Sequence, residues 1–464
     1  MAEILMRFEA ARQALGGRFL DFRRDAGEGF SSVHIDSREA ERGGIFVALA
    51  GSARDGAWFV GDAFKAGAAA ALVAERSLED PSLALAEKAR DAGAVLFAVP
   101  DTLRGLQDLA AAYLSRFPGL LRVGITGSSG KTTTRHIAAA MAAREKRVAV
   151  SSGNLNSETG LPLAVFTVRP HHEVGIFEMG MNRRGEIGEL ARVLKPAIAL
   201  ITNIGTAHIG ILGSKAAILE EKKAIFSEFT GTELALIPED ESCKEELAKG
   251  IAGRVSFYGS ASYPELGEVR DLGLEGTELI WEGNKVRFGL TGKHNLRNAL
   301  AAIAIARAIP VGSAAIREGL ASVKPLFGRG EILRGAVTVI RDCYNANPES
   351  TAAAIGFCDD LAWPGRKLYV IGSMLELGDS SAAAHRSIGS RLASSGADRI
   401  FLYGAETESA LAALKGVSGV FHTNAMETLA GELKGYVRPG DLVLLKGSRG
   451  CALERLGGVL EGAA

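Results

Sequence analysis

The stretch VGITGSSGKTTT, Val123 to Thr134, sets a glycine-framed turn between an apolar run and a lysine that opens a helical pattern. This is phosphate-binding chemistry. Gly127 and Gly130 permit positive φ, so backbone N–H groups can approach phosphate oxygens. A helix starting near Lys131 aims its positive end at the same oxygens. Lys131 adds a mobile ammonium for the β/γ-phosphates, and the Thr132 hydroxyl suits Mg²⁺. The strict spacing G-x-x-x-x-G-K-[ST] would need glycine where Ile125 stands; the loop here is Thr126, Gly127, Ser128, Ser129, Gly130, Lys131, Thr132, followed by Thr133. A Gly/Ser turn capping a helix with an exposed lysine would not account for strand, glycines, GKT and helix coinciding in that order.

Two further runs end on groups suited to a phosphate site. VGIFEMGMN carries Glu178 at the end of an apolar strand, the edge where ligands bind in open α/β sheets. Its carboxylate can hold Mg²⁺ directly or through water; taken alone, it is equally a strand-end acid in solvent. IALITNIGTAHIG brings Asn203 and His208 to the same edge, whereas His171 and His172, after Pro170, read as surface loop. A GTPase would need an N/T-K-x-D motif after a later strand, and the chain has none.

The elements that must position these groups are legible as apolar runs of strand length alternating with helical stretches. They include 44–51, 69–75, 95–100, 120–127, 173–180 and 197–205, then 337–345, 367–374, 399–404 and 441–448. Such Val/Ile/Leu runs flanked by helices mean parallel strands covered on both faces, hence an α/β fold. The region 254–292 alternates more weakly and reads as an antiparallel excursion. Breaks near 100 and 326 divide the 464 residues into three domains, 1–100, 101–325 and 326–464. Charged residues are 23% and balance to a net charge of -1, with no basic excess for nucleic acid. Four scattered cysteines fit reduced thiols. The amino-terminal stretch lacks a signal peptide's apolar core, and no run is long enough to span a membrane. A cytoplasmic protein without membrane insertion is expected.

Together, TGSSGKTTT, GNLNSETGLP (153–162), FEMGMN (177–182), TNIGTAHIG (202–210), EEKKAIF (220–226), GKHNLRNALAA (292–302) and DCYNANPESTAAAI (342–355) resemble the Mur ligases, which form amide bonds with ATP in peptidoglycan precursor synthesis. The resemblance covers nearly the whole chain. It implies a small α/β amino-terminal domain that binds a UDP-sugar, a central P-loop-type, mostly parallel sheet flanked by helices, and a Rossmann-like carboxyl-terminal domain. The run Asn154 to Pro162, DCYNANPES and VIGSMLELGDSSAAAH (370–385) are similar to the branch that adds D-alanyl-D-alanine to UDP-N-acetylmuramoyl-tripeptide. Cys343 and Ser373 depart from that branch's pattern. The D-N-P-R motif of the diamino-acid-adding branch is absent. That branch, a folylpolyglutamate synthase-like ligase and a non-reacting ATP-binding scaffold are the rival readings.

What the resemblance implies for single residues is specific. The loop from Thr126 to Thr133 would hold ATP. Thr132, Glu178 and His208 would serve two Mg²⁺ ions, together with Lys222 if that lysine is carbamylated; Lys223 is the less suitable register, and a plain surface lysine is the alternative. Asn295 and Asn298, three apart on one helical face, suit adenine or else cap their helix. Arg329 and Asp342 would contact ATP. Ser37 and Arg38 would contact the UDP-sugar part, Asn154 and Asn156 would bind substrate, Tyr344 and Asn345 would face the incoming dipeptide, and Lys446 is a candidate for a substrate carboxylate. Lys131, Glu178, His208 and Lys222 form the catalytic set, and a monomer is expected.

Overall fold

The computed structural model describes residues 3–23, 28–51, 54–151 and 153–461. Three large sheets succeed one another. The first comprises β1 (Arg18–Asp21), β2 (Val33–His34), β3 (Ile45–Val47), β4 (Ala70–Ala74) and β5 (Val95–Val99). Its order is β1-β5-β4-β3-β2, parallel except for the edge strand β1. Helix α1 (Thr102–Ser115) follows; the Asp101 carboxylate accepts from Leu103 N and Arg104 N and caps its start. One hydrophobic cluster runs from this sheet through α1 onto a face of the next sheet.

The second sheet contains β6 (Leu121–Thr126), β7 (Val148–Val150), β8 (Val174–Glu178), β9 (Ile198–Ile201), β10 (Leu234–Pro238) and β11 (Arg254–Tyr258). Every pairing is parallel, in the order β11-β10-β9-β6-β8-β7. Helix α2 (Lys131–Ala142) leaves β6 directly, α3 (Glu186–Leu194) follows β8, and α4 (Lys215–Lys223) follows β9. Helix α5 (Lys293–Ala308) and helix α6 (Ser313–Ser322) cover the sheet beside α2, closing a second core around Ile125, Ile137, Met141 and Ile303. Strand β6 lies between β8 and β9, with Glu178 level with Ile125 and Ile201 level with Thr126. The chain leaves β6 toward one side and later returns on the other. This is the switch point where an open parallel sheet leaves a crevice at its carboxyl edge.

The expected antiparallel excursion is shorter than its sequence pattern. Residues 254–258 are β11, a parallel edge strand of the central sheet. Four of its five residues are exposed, so the strand carries the mixed pattern of a two-sided wet edge. The antiparallel part is β12 (Leu266–Asp271), β13 (Thr277–Trp281) and β14 (Asn284–Phe288).

The third sheet comprises β15 (Glu331–Arg334), β16 (Thr338–Asp342), β17 (Lys367–Gly372), β18 (Arg399–Tyr403), β19 (Val420–Thr423) and β20 (Leu442–Lys446). Its order is β15-β16-β20-β17-β18-β19, parallel except for the antiparallel edge β15. Helix α7 (Pro348–Asp360) opens with a capping box between Asn347 and Ser350, and helix α8 (Ser381–Ala393) follows β17. The α/β class and the multi-sheet organisation are those read from the sequence. The four cysteines are free. No helix among the described residues is long and apolar enough to cross a membrane.

Helix α2 is held close to α6 by a glycine: a Cβ on Gly319 would collide with the Met141 backbone. Gly319→Ala is expected to lower stability by about 1–3 kcal/mol through overpacking, measured by urea unfolding; an unchanged midpoint would refute the tight contact.

Candidate active site

The loop after β6 is strained into shape and strapped by its neighbour. Gly127 (φ 145°) and Gly130 (φ 80°) adopt backbone conformations that side chains rarely reach. A Cβ on Gly127 would strike Thr202 Oγ1, and one on Gly130 would strike Asn298 Oδ1. From the segment after β9, Thr202 Oγ1 donates to Ser129 O (2.6 Å), and Asn203 Nδ2 donates to Ser129 Oγ (2.9 Å). Ser129 N donates to Asn203 Oδ1 (3.1 Å), and Gly205 N donates to Ser128 Oγ (2.8 Å). Helix α2 starts at Gly130 with no side-chain cap. Its first N–H groups therefore have no side chain competing with an anion.

Charge is gathered around one carboxylate. Glu178 is fully buried. Its Oε2 accepts from Thr132 Oγ1 (3.2 Å) and Asn156 Nδ2 (3.1 Å). Its Oε1 lies 3.3 Å from Arg135 Nε yet has no hydrogen-bond partner. A hydroxyl beside a buried carboxylate with a spare oxygen fits the hard, oxygen-preferring Mg²⁺. Among the described residues, no three or more His, Cys, Asp or Glu cluster in a way that could hold a metal unaided.

Lys131 Nζ donates to Gly127 O (2.8 Å). Burial pulls its ammonium below the usual value, Glu178 opposes this, and Arg329 adds to it. Lys222 is almost entirely buried and has no ion pair or side-chain hydrogen bond among the described residues. Burial, then Lys131, pushes its ammonium well below the ordinary lysine value. The adjacent Glu221 caps α3, accepting from Gly185 N (2.6 Å) and Ile187 N (2.9 Å), which fixes α4 and hence Lys222. His208 (φ 64°) is held down to about 4 by burial, then by Lys131 and Lys222.

The third sheet presents its own carboxyl edge. Asp342 and Lys446 are cross-strand neighbours, with Lys446 Nζ 3.0 Å from Asp342 Oδ2 and donating to Asn345 O at 2.7 Å. Lys446 is buried in this pair and does not face outward. The Arg329 guanidinium stacks 4.1 Å from the centre of the Tyr344 ring. Thr206 N and Oγ1 both donate to Glu349, at 2.9 and 3.1 Å, tying the segment after β9 to the start of α7. Asn295 and Asn298 are buried on α5; Asn295 Nδ2 donates to Thr291 O (2.9 Å) and Asn298 Nδ2 to Asn295 Oδ1 (3.2 Å). One amide hydrogen of each is thus engaged within α5 and its approach, and Asn298 backs the phosphate loop. Asn154 is exposed. Arg38 lies in the first unit, exposed and paired with Asp36 beside Ser37 (2.5 Å).

Residues 125–306 match the Mur ligase middle domain, and residues 328–449 match the Mur ligase glutamate ligase domain. The UDP-N-acetylmuramoyl-tripeptide–D-alanyl-D-alanine ligase of Treponema pallidum is 42% identical over 457 residues, 98% of each chain. The chain belongs to the Mur ligase family. A crystal structure of MurF from Acinetobacter baumannii superimposes with a TM-score of 0.87 at 29% identity, covering 99% of each chain. MurF from Thermotoga maritima in complex with ADP superimposes with a TM-score of 0.78 at 27% identity, covering 93% of this chain and 97% of that one.

For this Mur ligase, sequence reading missed four groups at the phosphate site. Arg135 was findable, because it lies one helical turn beyond Lys131 on the same face of α2. Thr202 sat inside a quoted motif without a reason to single it out. Glu349 and Glu376 act across the boundary between sheets, which no local pattern marks. The depressed His208 value predicts that its imidazole stays neutral through the range near pH ~6.5 where ordinary histidines titrate and is protonated only near 4. Acidification through that window protonates the unfolded chain's imidazole before the folded one's, so it removes stability. A pH series of imidazole NMR spectra on the ligand-free protein checks this; a midpoint near the ordinary value would refute it.

Proposed function

We propose that this chain joins D-alanyl-D-alanine to UDP-N-acetylmuramoyl-tripeptide with ATP, forming an amide and releasing ADP and phosphate. The observation carrying the reading is that a phosphate cradle on the central sheet meets the carboxyl edge of the third sheet through Thr206–Glu349 and His208–Glu376. Activation and amine delivery thus converge from different units. The similarity over 98% of a curated D-alanyl-D-alanine ligase supports this substrate pair over the diamino acid. A reaction fed by ATP and a UDP-linked sugar belongs in the cytoplasm.

A carboxylate is too poor an electrophile for direct attack by an amine. The tripeptide's terminal carboxylate attacks the γ-phosphorus, and ADP leaves. The amine, having lost a proton, attacks the resulting acyl phosphate, and phosphate departs from the tetrahedral adduct. The residues from Thr126 to Thr133 and Lys131 hold and neutralise the phosphates, so the chain contributes mainly position and preorganised positive charge. Magnesium, when bound, would neutralise charge on the transferring phosphoryl group. Thr132, Glu178 and His208 would hold it, with the ATP phosphates completing the shell. Lys222, as a carbamate, would offer an oxygen donor to a second ion. Burial supports that change by favouring the neutral amine, whose nitrogen bonds to CO₂ as a proton leaves. Arg329 and Asp342 would face ATP; Asn295 and Asn298 would border its site. Ser37, Arg38, Asn154 and Asn156 would meet the UDP-sugar peptide, and Tyr344 and Asn345 the dipeptide, with the buried Lys446 holding Asn345 and Asp342 from behind. Residues 1–100, 101–325 and 326–464 would divide these tasks.

Phosphate release measured with UDP-N-acetylmuramoyl-tripeptide, ATP and Mg²⁺ is expected with D-alanyl-D-alanine. Release with a free diamino acid instead would overturn the substrate assignment. Binding without turnover for either amine would favour a scaffold. Lys131→Ala is expected to lower kcat by roughly 10²–10³-fold or more with the circular dichroism spectrum unchanged; near-normal turnover would refute its phosphate role.

A further inference from the structure

Six non-glycine residues among the described residues have positive φ, and two of them face each other. His208 (φ 64°), after β9, and Glu376 (φ 66°), after β17, approach across the boundary between the central and third sheets, with Nδ1 3.3 Å from Oε2. Such backbone strain persists only where the surroundings enforce it, and it gathers at functional sites.

The surroundings do enforce it. Met374 N–H donates to His385 Nε2 (3.0 Å), which leaves the His385 proton on Nδ1, where it donates to Ser381 O (2.8 Å). Leu375 N donates to Ser448 Oγ (2.9 Å). The loop bearing Glu376 is thus pinned from both sides by buried groups of its own unit. Its far end lies against the central unit, where a Cβ on Gly210 would collide with Gly378 N. This accounts for the histidine that closes the run VIGSMLELGDSSAAAH: it shapes the loop that presents the carboxylate.

His208 Nδ1 is buried and has no hydrogen-bond partner, so the carboxylate stands within ion-pair distance but outside hydrogen-bond geometry. Contacts of this kind tighten in the liganded state.

We propose that Glu376 is a positioning residue that accepts a hydrogen bond from His208 Nδ1–H when the third unit closes on bound nucleotide, leaving Nε2 as the metal-binding nitrogen. A carboxylate behind a ligating histidine fixes its tautomer and raises its basicity. Because the carboxylate and the imidazole belong to different units, metal affinity and closure become one equilibrium, each strengthening the other by the same factor. The inference rests on the proposed reading of His208 as a magnesium ligand.

The test compares the full-length wild type with Glu376→Gly, which suits a positive φ and keeps the loop, and Glu376→Gln, which keeps an acceptor oxygen. Mn²⁺ binding is followed by electron paramagnetic resonance with ADP saturating, and compaction by small-angle X-ray scattering. Glu376→Gly is expected to bind Mn²⁺ about 10-fold more weakly and to lose the compaction that ADP and Mn²⁺ produce together. Glu376→Gln should lose less, and ADP affinity in EDTA should stay the same for all three. Wild-type-like Mn²⁺ binding and compaction in Glu376→Gly would overturn the inference alone. Equal losses in Gly and Gln, or weaker ADP binding without metal, would also overturn it by marking a merely structural contact. A wild type that binds ADP but no Mn²⁺ would overturn the magnesium reading and this inference together.

Discussion

Positive charge buried around a single fully buried carboxylate is the constraint on which the site depends. Lys131 and Arg135 are both set against Glu178, and both have their charged forms disfavoured by burial. Lys222 adds a buried amine with no counter-charge in contact among the described residues. Desolvated charge without compensation is costly. An anionic polyphosphate supplies the missing compensation, which makes nucleotide binding a relief of unfavourable electrostatics as well as a set of new contacts. Holding cations of like sign together requires a rigid frame, because a flexible one would let them part.

The frame is the parallel sheet. Strand β6 has a buried partner on each side, and their ends set Glu178 on one flank of the loop and the Thr202–Gly205 strap on the other. The strap holds the loop's serines, and its continuation touches the third unit through Thr206, His208 and Gly210. One short segment therefore contacts both the phosphate loop and the third sheet.

Much of this was legible before any coordinates. Continuous Val/Ile/Leu runs mark strands buried on both faces, and the ten strand runs read from the sequence all fall on strands. The misread segment, 254–258, is an edge strand whose exposed residues imitate the alternation of an antiparallel ladder. The phosphate loop was legible because its requirements are local: glycines for positive φ, a lysine and a hydroxyl at a helix start. Lys446 shows the opposite case. Its place at a strand end was readable, whereas its burial against Asp342 follows from a register set by residues about a hundred positions apart.

The sequence by itself determined the α/β class, the phosphate loop and, through motifs spread over the chain, the ligase family. These depend on periodicity and on residue types at fixed local spacing. Only the tertiary structure decided which charges share a burial site, that Asn295 and Asn298 each donate one amide hydrogen within the protein, and that Glu349 and Glu376 reach the central unit. Burial and through-space charge depend on how separate elements pack, and no local pattern encodes the distance between two sheets.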